Sequence, residues 1–141
     1  MSEEIRANIK RHFDQMNRGN IDEMDELLVP DVLRHMPPFP DTKGVEMSKQ
    51  FGRDVQTSYP DRHQTIDEII EEGNISAVRY TFQGKNTGPS QYIPTPTNKQ
   101  VTYTACWIAH WQEGKIVEDW LYMDMLGLMQ QLGLIDLPIP S

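Results

Sequence analysis

The sequence predicts an α+β fold: a cone-shaped barrel in which three N-terminal helices pack across a curled antiparallel or mixed sheet, with a short C-terminal helix. Three observations carry this prediction. Apolar residues recur at helical spacing through the first 60 positions, strand-period runs fill most of the chain from His63 onward, and a helical pattern returns from Met125 to Leu132. Helices followed by a run of strands define the α+β class. A long antiparallel sheet twists and curls, and helices laid across it leave a mouth that can hold a small ligand.

From Glu3 to Arg18, Ile5, Ile9, Phe13 and Met16 mark one face of an amphipathic helix that Gly19 ends. Asn20 or Asp22 caps a second, shorter helix with Met24, Leu27 and Leu28 inward, and Pro30 closes it. Val32 and Leu33 lead to His35 and the stiff segment Met36-Pro37-Pro38-Phe39-Pro40, a loop or edge. The third helix runs from about Val45 to Tyr59, stopped by Pro60. Strands then flank a Gly73-Asn74 turn, and a two-residue turn there sets Glu68 across from Arg79. Gly84 to Lys99 is a long loop rich in Gly and Pro. Irregular segments above about 12–15 residues are often functional, so this one is a candidate lid.

The stretch from Thr102 to Gly133 holds the second hairpin and the closing helix. A three-residue loop, Gln112-Glu113-Gly114, with a G1 bulge at Gly114 pairs Trp111 with Lys115. His110 then shares a face with Ile116, Glu118, Trp120, Tyr122 and Asp124. A two-residue Glu113-Gly114 turn would shift the register by one. Tyr103, Trp107 and Trp111 alternate on the opposite face; if that face is the outer one, the stripe is a subunit interface.

At 141 residues the chain is most simply one domain, residues 1–141, able to bury roughly two-thirds of its unfolded surface. A formal charge of -8 without clustered Lys or Arg argues against nucleic acid. The single cysteine, Cys106, has no internal partner. No leading signal segment or spanning apolar run is present, so the expected location is the cytoplasm, with no membrane partner. The four histidines form no ligand spacing and the expected metal is none. Serine-nucleophile, P-loop and dinucleotide motifs are absent.

Asp124 is the sharpest chemical candidate. Aspartate is depleted in strands and seldom buried unless paired, so an acid between Met123 and Met125 is either a partly desolvated general base or an N-cap for the last helix. His110 is either a structural residue or the partner that orients or protonates Asp124. Prolines and aromatics near the mouth suit a flat apolar ligand. The expected lining includes Tyr80, Phe39 and Tyr122.

The segments FDQMNRGNIDEMDELLVPDVLRH, GVEMSKQF with YPD, GKNTG with PTNKQV, and GKIVEDWLYMDMLGLMQQLG resemble the SnoaL-like polyketide cyclases and ester cyclases of the nuclear-transport-factor-like cone fold. The resemblance covers nearly the whole chain. It implies a homo-oligomer, dimer or tetramer, without metal or organic cofactor. It implies an acid/base at Asp124 that removes a substrate proton for an intramolecular aldol closure, supported by His110, with Trp120 and His35 at family positions in the pocket. Gly84-Lys85-Asn86-Thr87-Gly88 departs from the family's Gly-Thr-His-x-Gly and lacks its loop histidine; Pro96-Thr97-Asn98 replaces Pro-Thr-Gly. Two readings compete with the cyclase or isomerase. One is a non-catalytic small-molecule carrier; the other is an epoxide-hydrolase-like enzyme, which needs two acids bridged by an arginine, with Arg79 the evident strand arginine.

Overall fold

The computed structural model describes residues 2–138. Helix α1 (Ser2–Arg18), a 3-10 turn (Ile21–Glu23) and the short helix α2 (Met24–Leu27) lead into strands β1 (Leu28–His35) and β2 (Thr42–Lys43). Helix α3 (Val45–Ser58) follows, then β3 (His63–Glu72), β4 (Ile75–Lys85), β5 (Gln100–Gln112), β6 (Lys115–Met123) and helix α4 (Met125–Gln131). The strands form one sheet in the order β2-β1-β6-β5-β4-β3. Only β1 and β6 run parallel. The α+β cone expected from the sequence is found, its sheet left open between β2 and β3.

One face of this sheet is the core. Ile5, Ile9, Phe13 and Met16 of α1 are buried with Val78, Tyr80, Phe82, Tyr103 and Trp107, and the Phe13 ring meets Tyr80 edge-on at 5.0 Å. Side chains of this size contribute about 1.5–3 kcal/mol each when fully buried. Asn17 ties the helix to the edge strand by donating to the Gln64 carbonyl (3.0 Å) and accepting from its N–H (2.8 Å).

The sheet differs from the sequence reading in four respects. Leu28–His35 is a strand, although Pro30 lies within it. Its register against β6 lapses between Leu28 and Leu33, so the proline falls where ladder bonds are interrupted. The second hairpin has a two-residue turn, not the three-residue loop: Gln112 pairs with Lys115 across Glu113 (φ 51°) and Gly114 (φ 80°). Both turn residues occupy the left-handed region, as a type I′ turn requires. Ile116 therefore opposes Trp111 and joins the core, off the His110 face. Val117 is then an extra residue, a bulge that sets His110 opposite Glu118 and returns Glu118, Trp120 and Tyr122 to the His110 face.

The fourth difference concerns which face is which. Tyr103, Trp107 and Trp111 point under the helices and are buried, so they are core and not a subunit interface. The outer face instead carries Cys106, Ile108 and His110 of β5 beside Trp120 and Tyr122 of β6. The first hairpin follows expectation, with Glu68 opposite Arg79.

The 86–99 loop is fastened at its neck by Asn86, which is 1 % exposed. Its side-chain oxygen accepts from Thr97 N–H (2.8 Å) and hydroxyl (3.0 Å), and its amide nitrogen donates to the carbonyls of Gly88 (3.2 Å) and Ser58 (3.4 Å). This residue stands where the resemblance leads one to expect a histidine. Gly88 packs so tightly on the end of α3 that a Cβ would lie 1.9 Å from the Thr57 carbonyl oxygen.

Candidate functional site

Between the helices and the inner sheet face lies a cavity of about 80 Å³, open at its mouth and walled by Phe13, Met16, Met24, Phe51, Val55 and Leu121. Few polar side chains reach it, and they come from different elements: His12 from α1, Arg34 from β1, Arg62 and Gln64 from the start of β3, Tyr80 from β4 and the Trp107 indole from β5.

Arg34 is placed by the parallel pairing, which puts it beside Asp119. Its Nε donates to Asp119 Oδ1 at 3.0 Å and its Nη2 to Oδ2 at 2.7 Å, a two-pronged fork. Trp107 Nε1 adds a third donor to Oδ2 at 2.9 Å. Asp119 is fully buried, and these three groups replace the water it loses. Burial opposes the charge on Arg34, but Coulomb attraction and hydrogen bonding to Asp119 outweigh it and hold its pKa above the ordinary value. Nη1 is left without a hydrogen-bond partner among the described residues, on a side chain that lines the cavity.

His12 is the second group of interest. Its Nδ1 lies 3.1 Å from Oε2 of Glu23, and the Glu23 side chain is almost fully buried. In the neutral tautomer with its proton on Nδ1, the ring donates to the carboxylate and carries its lone pair on Nε2. A carboxylate-oriented imidazole is the arrangement used by general bases. Burial pushes the Tyr80 hydroxyl far above its ordinary pKa, with nearby Arg34 partly offsetting this, so it serves as a neutral donor. A base, a charged N–H donor and a neutral hydroxyl on apolar walls can together remove a proton beside a carbonyl and stabilise the resulting enolate.

The sequence-predicted residues are distributed otherwise. Tyr80 lines the cavity, but Asp124, His110, His35, Trp120, Phe39 and Tyr122 do not. Asp124 is exposed and caps α4, accepting from Gly127 N–H at 2.9 Å. Its own N–H donates to the Thr104 carbonyl, which sets it six positions along β5 from His110. At about 3.3 Å per residue that separates the two by roughly 20 Å. The two do not share a site. His35 is clasped on the outer face between Asp41 (Nδ1, 3.0 Å) and Glu118 (Nε2, 2.7 Å), and it stacks on Trp120 at 5.0 Å. The Trp120 ring also meets His110, with centroids 4.8 Å apart. Tyr122 is 48 % exposed, and Phe39 packs on Tyr92. Arg79 is on the outer face with Glu68 and Asp67. The cavity arginine, Arg34, bridges one acid and not two.

Sequence reasoning missed Arg34, Asp119, His12, Glu23 and Arg62. A signal for Asp119 was present: it is an aspartate in mid-strand between Glu118 and Trp120. Among the described residues no group of three or more His, Cys, Asp or Glu side chains is arranged to hold a metal ion. No helix among them is long and apolar enough to cross a membrane.

The sequence matches the SnoaL-like polyketide cyclase family over residues 7–132. A comparison with curated proteins found no match. Similar solved structures include a candidate SnoaL-like polyketide cyclase from Jannaschia sp. CCS1, 18 % identical, covering 95 % of this chain and 94 % of that one with a TM-score of 0.85. AclR, a candidate hydroxylase from Streptomyces galilaeus, is 21 % identical over 100 % of this chain and 91 % of its own, with a TM-score of 0.85. IdmH, a candidate polyketide cyclase from Streptomyces antibioticus, is 25 % identical over 90 % and 96 %, with a TM-score of 0.77.

Proposed function

Because the chain belongs to the SnoaL-like polyketide cyclase family, we propose that it is a cofactor-independent enzyme that removes a proton beside a carbonyl of a small apolar substrate. The outcome is an intramolecular aldol closure or an isomerisation. The observation that carries this reading is the pairing, on one apolar cavity, of His12 backed by Glu23 with Arg34 held by Asp119. His12 acts as base, Arg34 Nη1 polarises the carbonyl, and Tyr80 donates to the developing enolate. The competing acid/base is Asp124, favoured by the family resemblance and supported there by His110; its exposed capping position speaks for the cavity pair instead.

The test is exchange of the acidic protons of an aryl 1,3-diketone with D2O, followed by NMR. We expect the protein to accelerate exchange, His12→Gln to lose about 10²–10⁴-fold of that acceleration, and Asp124→Asn to retain it. The reverse ranking transfers the base to Asp124. Binding without exchange in any variant supports the carrier reading.

The outer sheet face supports a homo-oligomer. Ile70, Ala77, Ile108, Trp120 and His35 form one cross-strand row over five strands; Ile70 within it and Ile75 and Tyr122 beside it are exposed apolar side chains. A second copy laid on this face removes that surface from water. A cytoplasmic location for a single-domain chain with one cysteine completes the proposal.

A further inference from the structure

The charge lining the cavity is opposite to that of the chain. The protein has 21 Asp and Glu against 13 Lys and Arg. The cavity lining includes two arginines, Arg34 and Arg62, and no carboxylate. Arg34 is neutralised from behind by Asp119. Arg62 is not: it has no acidic partner within 4 Å among the described residues, and the one hydrogen bond of its side chain there runs from Nη2 to the Met16 carbonyl at 2.7 Å. Burial lowers its pKa, which marks a cation partly stripped of water without an anion to compensate. Gln64, next to it on the lining, spends its backbone N–H and carbonyl on Asn17 and keeps its side-chain amide free of any described partner.

We propose that the ligand of this cavity is an apolar keto acid, its carboxylate received by Arg62 and the Gln64 amide while its carbonyl is presented to Arg34 and His12. This rests on the reading of the cavity as the substrate site. A guanidinium fork suits the two coplanar oxygens of a carboxylate. One uncompensated arginine balances one negative charge, so a monoanion is favoured over a phosphate dianion. The same arginine discriminates against a neutral ester, which offers no charge in return for desolvating the cation.

The test uses 4-oxo-4-phenylbutanoate and its methyl ester, titrated separately while the ¹³C-methyl signals of Met16 and Met24 report cavity occupancy by NMR. We expect the carboxylate to bind about tenfold or more tighter than the ester, the preference expected of a charge-assisted hydrogen bond. Arg62→Gln is expected to erase that preference while the ester binds at least as tightly as to wild type, which also certifies that the cavity is still folded. Arg62→Lys is expected to keep part of it. Equal binding of both probes, or tighter binding of the ester, overturns the keto-acid inference and leaves the cavity as a ligand site. Failure of both probes to move either methionine overturns the inference and the cavity reading together.

Discussion

The Arg34–Asp119 pair gives the most direct test of the site's architecture, because the two obvious perturbations are expected to act in opposite directions. Asp119→Leu leaves a guanidinium buried at 7 % exposure with no counter-charge, and strips the Trp107 N–H of its acceptor. Removing one partner of a buried pair costs about 3–5 kcal/mol, because the charge left behind has no water to return to. Against a total stability of about 5–15 kcal/mol the variant still folds, but marginally. With a urea slope of about 2 kcal/mol per molar, the midpoint falls by about 2 M. Arg34→Met combined with Asp119→Leu removes both charges and both desolvation penalties. It is expected to recover most of the loss, since apolar replacement of a whole buried pair is often neutral or stabilising. The assay is urea denaturation of wild type, Asp119→Leu, Arg34→Met and the double variant, at one protein concentration because assembly makes the midpoint concentration-dependent. A loss below about 1 kcal/mol in Asp119→Leu refutes the reasoning. So does a double variant that is additive with the two singles, since a coupled pair must be non-additive.

Two further outcomes are expected on stability. Hydrogen bonding to Glu118 raises the His35 pKa, burial opposes it, and a smaller contribution from Asp41 adds to the rise. A folded pKa above the unfolded ~6.5 stabilises fully below that value, and the stabilisation is lost as pH rises through the folded pKa. The gap in urea midpoint between wild type and His35→Gln is therefore expected to be larger at about pH 6 than at about pH 9, and a gap that widens toward alkaline pH contradicts the ion-pair geometry. Gly88→Ala drives a methyl group to 1.9 Å from the Thr57 carbonyl oxygen, a backbone atom that can yield only by moving the end of α3 or the loop. A loss of about 1–3 kcal/mol is expected from such overpacking, read as a lowered melting temperature; an unchanged one shows that the loop is not seated on α3.

The helices were legible because their apolar faces repeat at 3.6 residues: Ile5, Ile9, Phe13 and Met16 are all core. Strand alternation was equally plain in β4 and β5. Leu28–His35 was hidden because Pro30 and Asp31 break its pattern and its partner, β6, lies 80 residues away in a parallel pairing. With that strand unread, Arg34 has no place in the fold and Arg79 is the evident strand arginine. The rule that a strand aspartate needs a reason was sound, but it applies with more force to Asp119 than to Asp124. Asp119 is fully buried and has three donors, whereas Asp124 sits beyond the strand end and has found the helix cap that aspartate commonly fills. In sequence, His12 is one polar residue among many on α1. Only the return of the chain through Glu23, eleven residues later, gives its ring a carboxylate partner.

What the sequence could not supply was the position of one bulge, and on that position the chemistry of the cavity depends. The Glu113-Gly114 turn pairs Trp111 with Ile116. Continued without interruption, that register would set Ala109 opposite Glu118, Ile108 opposite Asp119 and Trp107 opposite Trp120. Asp119 would then join Ile108 on the outer face, and Trp120 would enter the core. Val117 prevents this by standing unpaired between Ile116 and Glu118, which inverts every side chain after it. The inversion sends Trp120 out to stack on His35 and brings Asp119 in to meet Arg34 and the Trp107 indole. The tight turn and the buried ion pair are thus compatible only through the bulge. Arg34 owes its counter-charge and its orientation to a single unpaired residue, Val117.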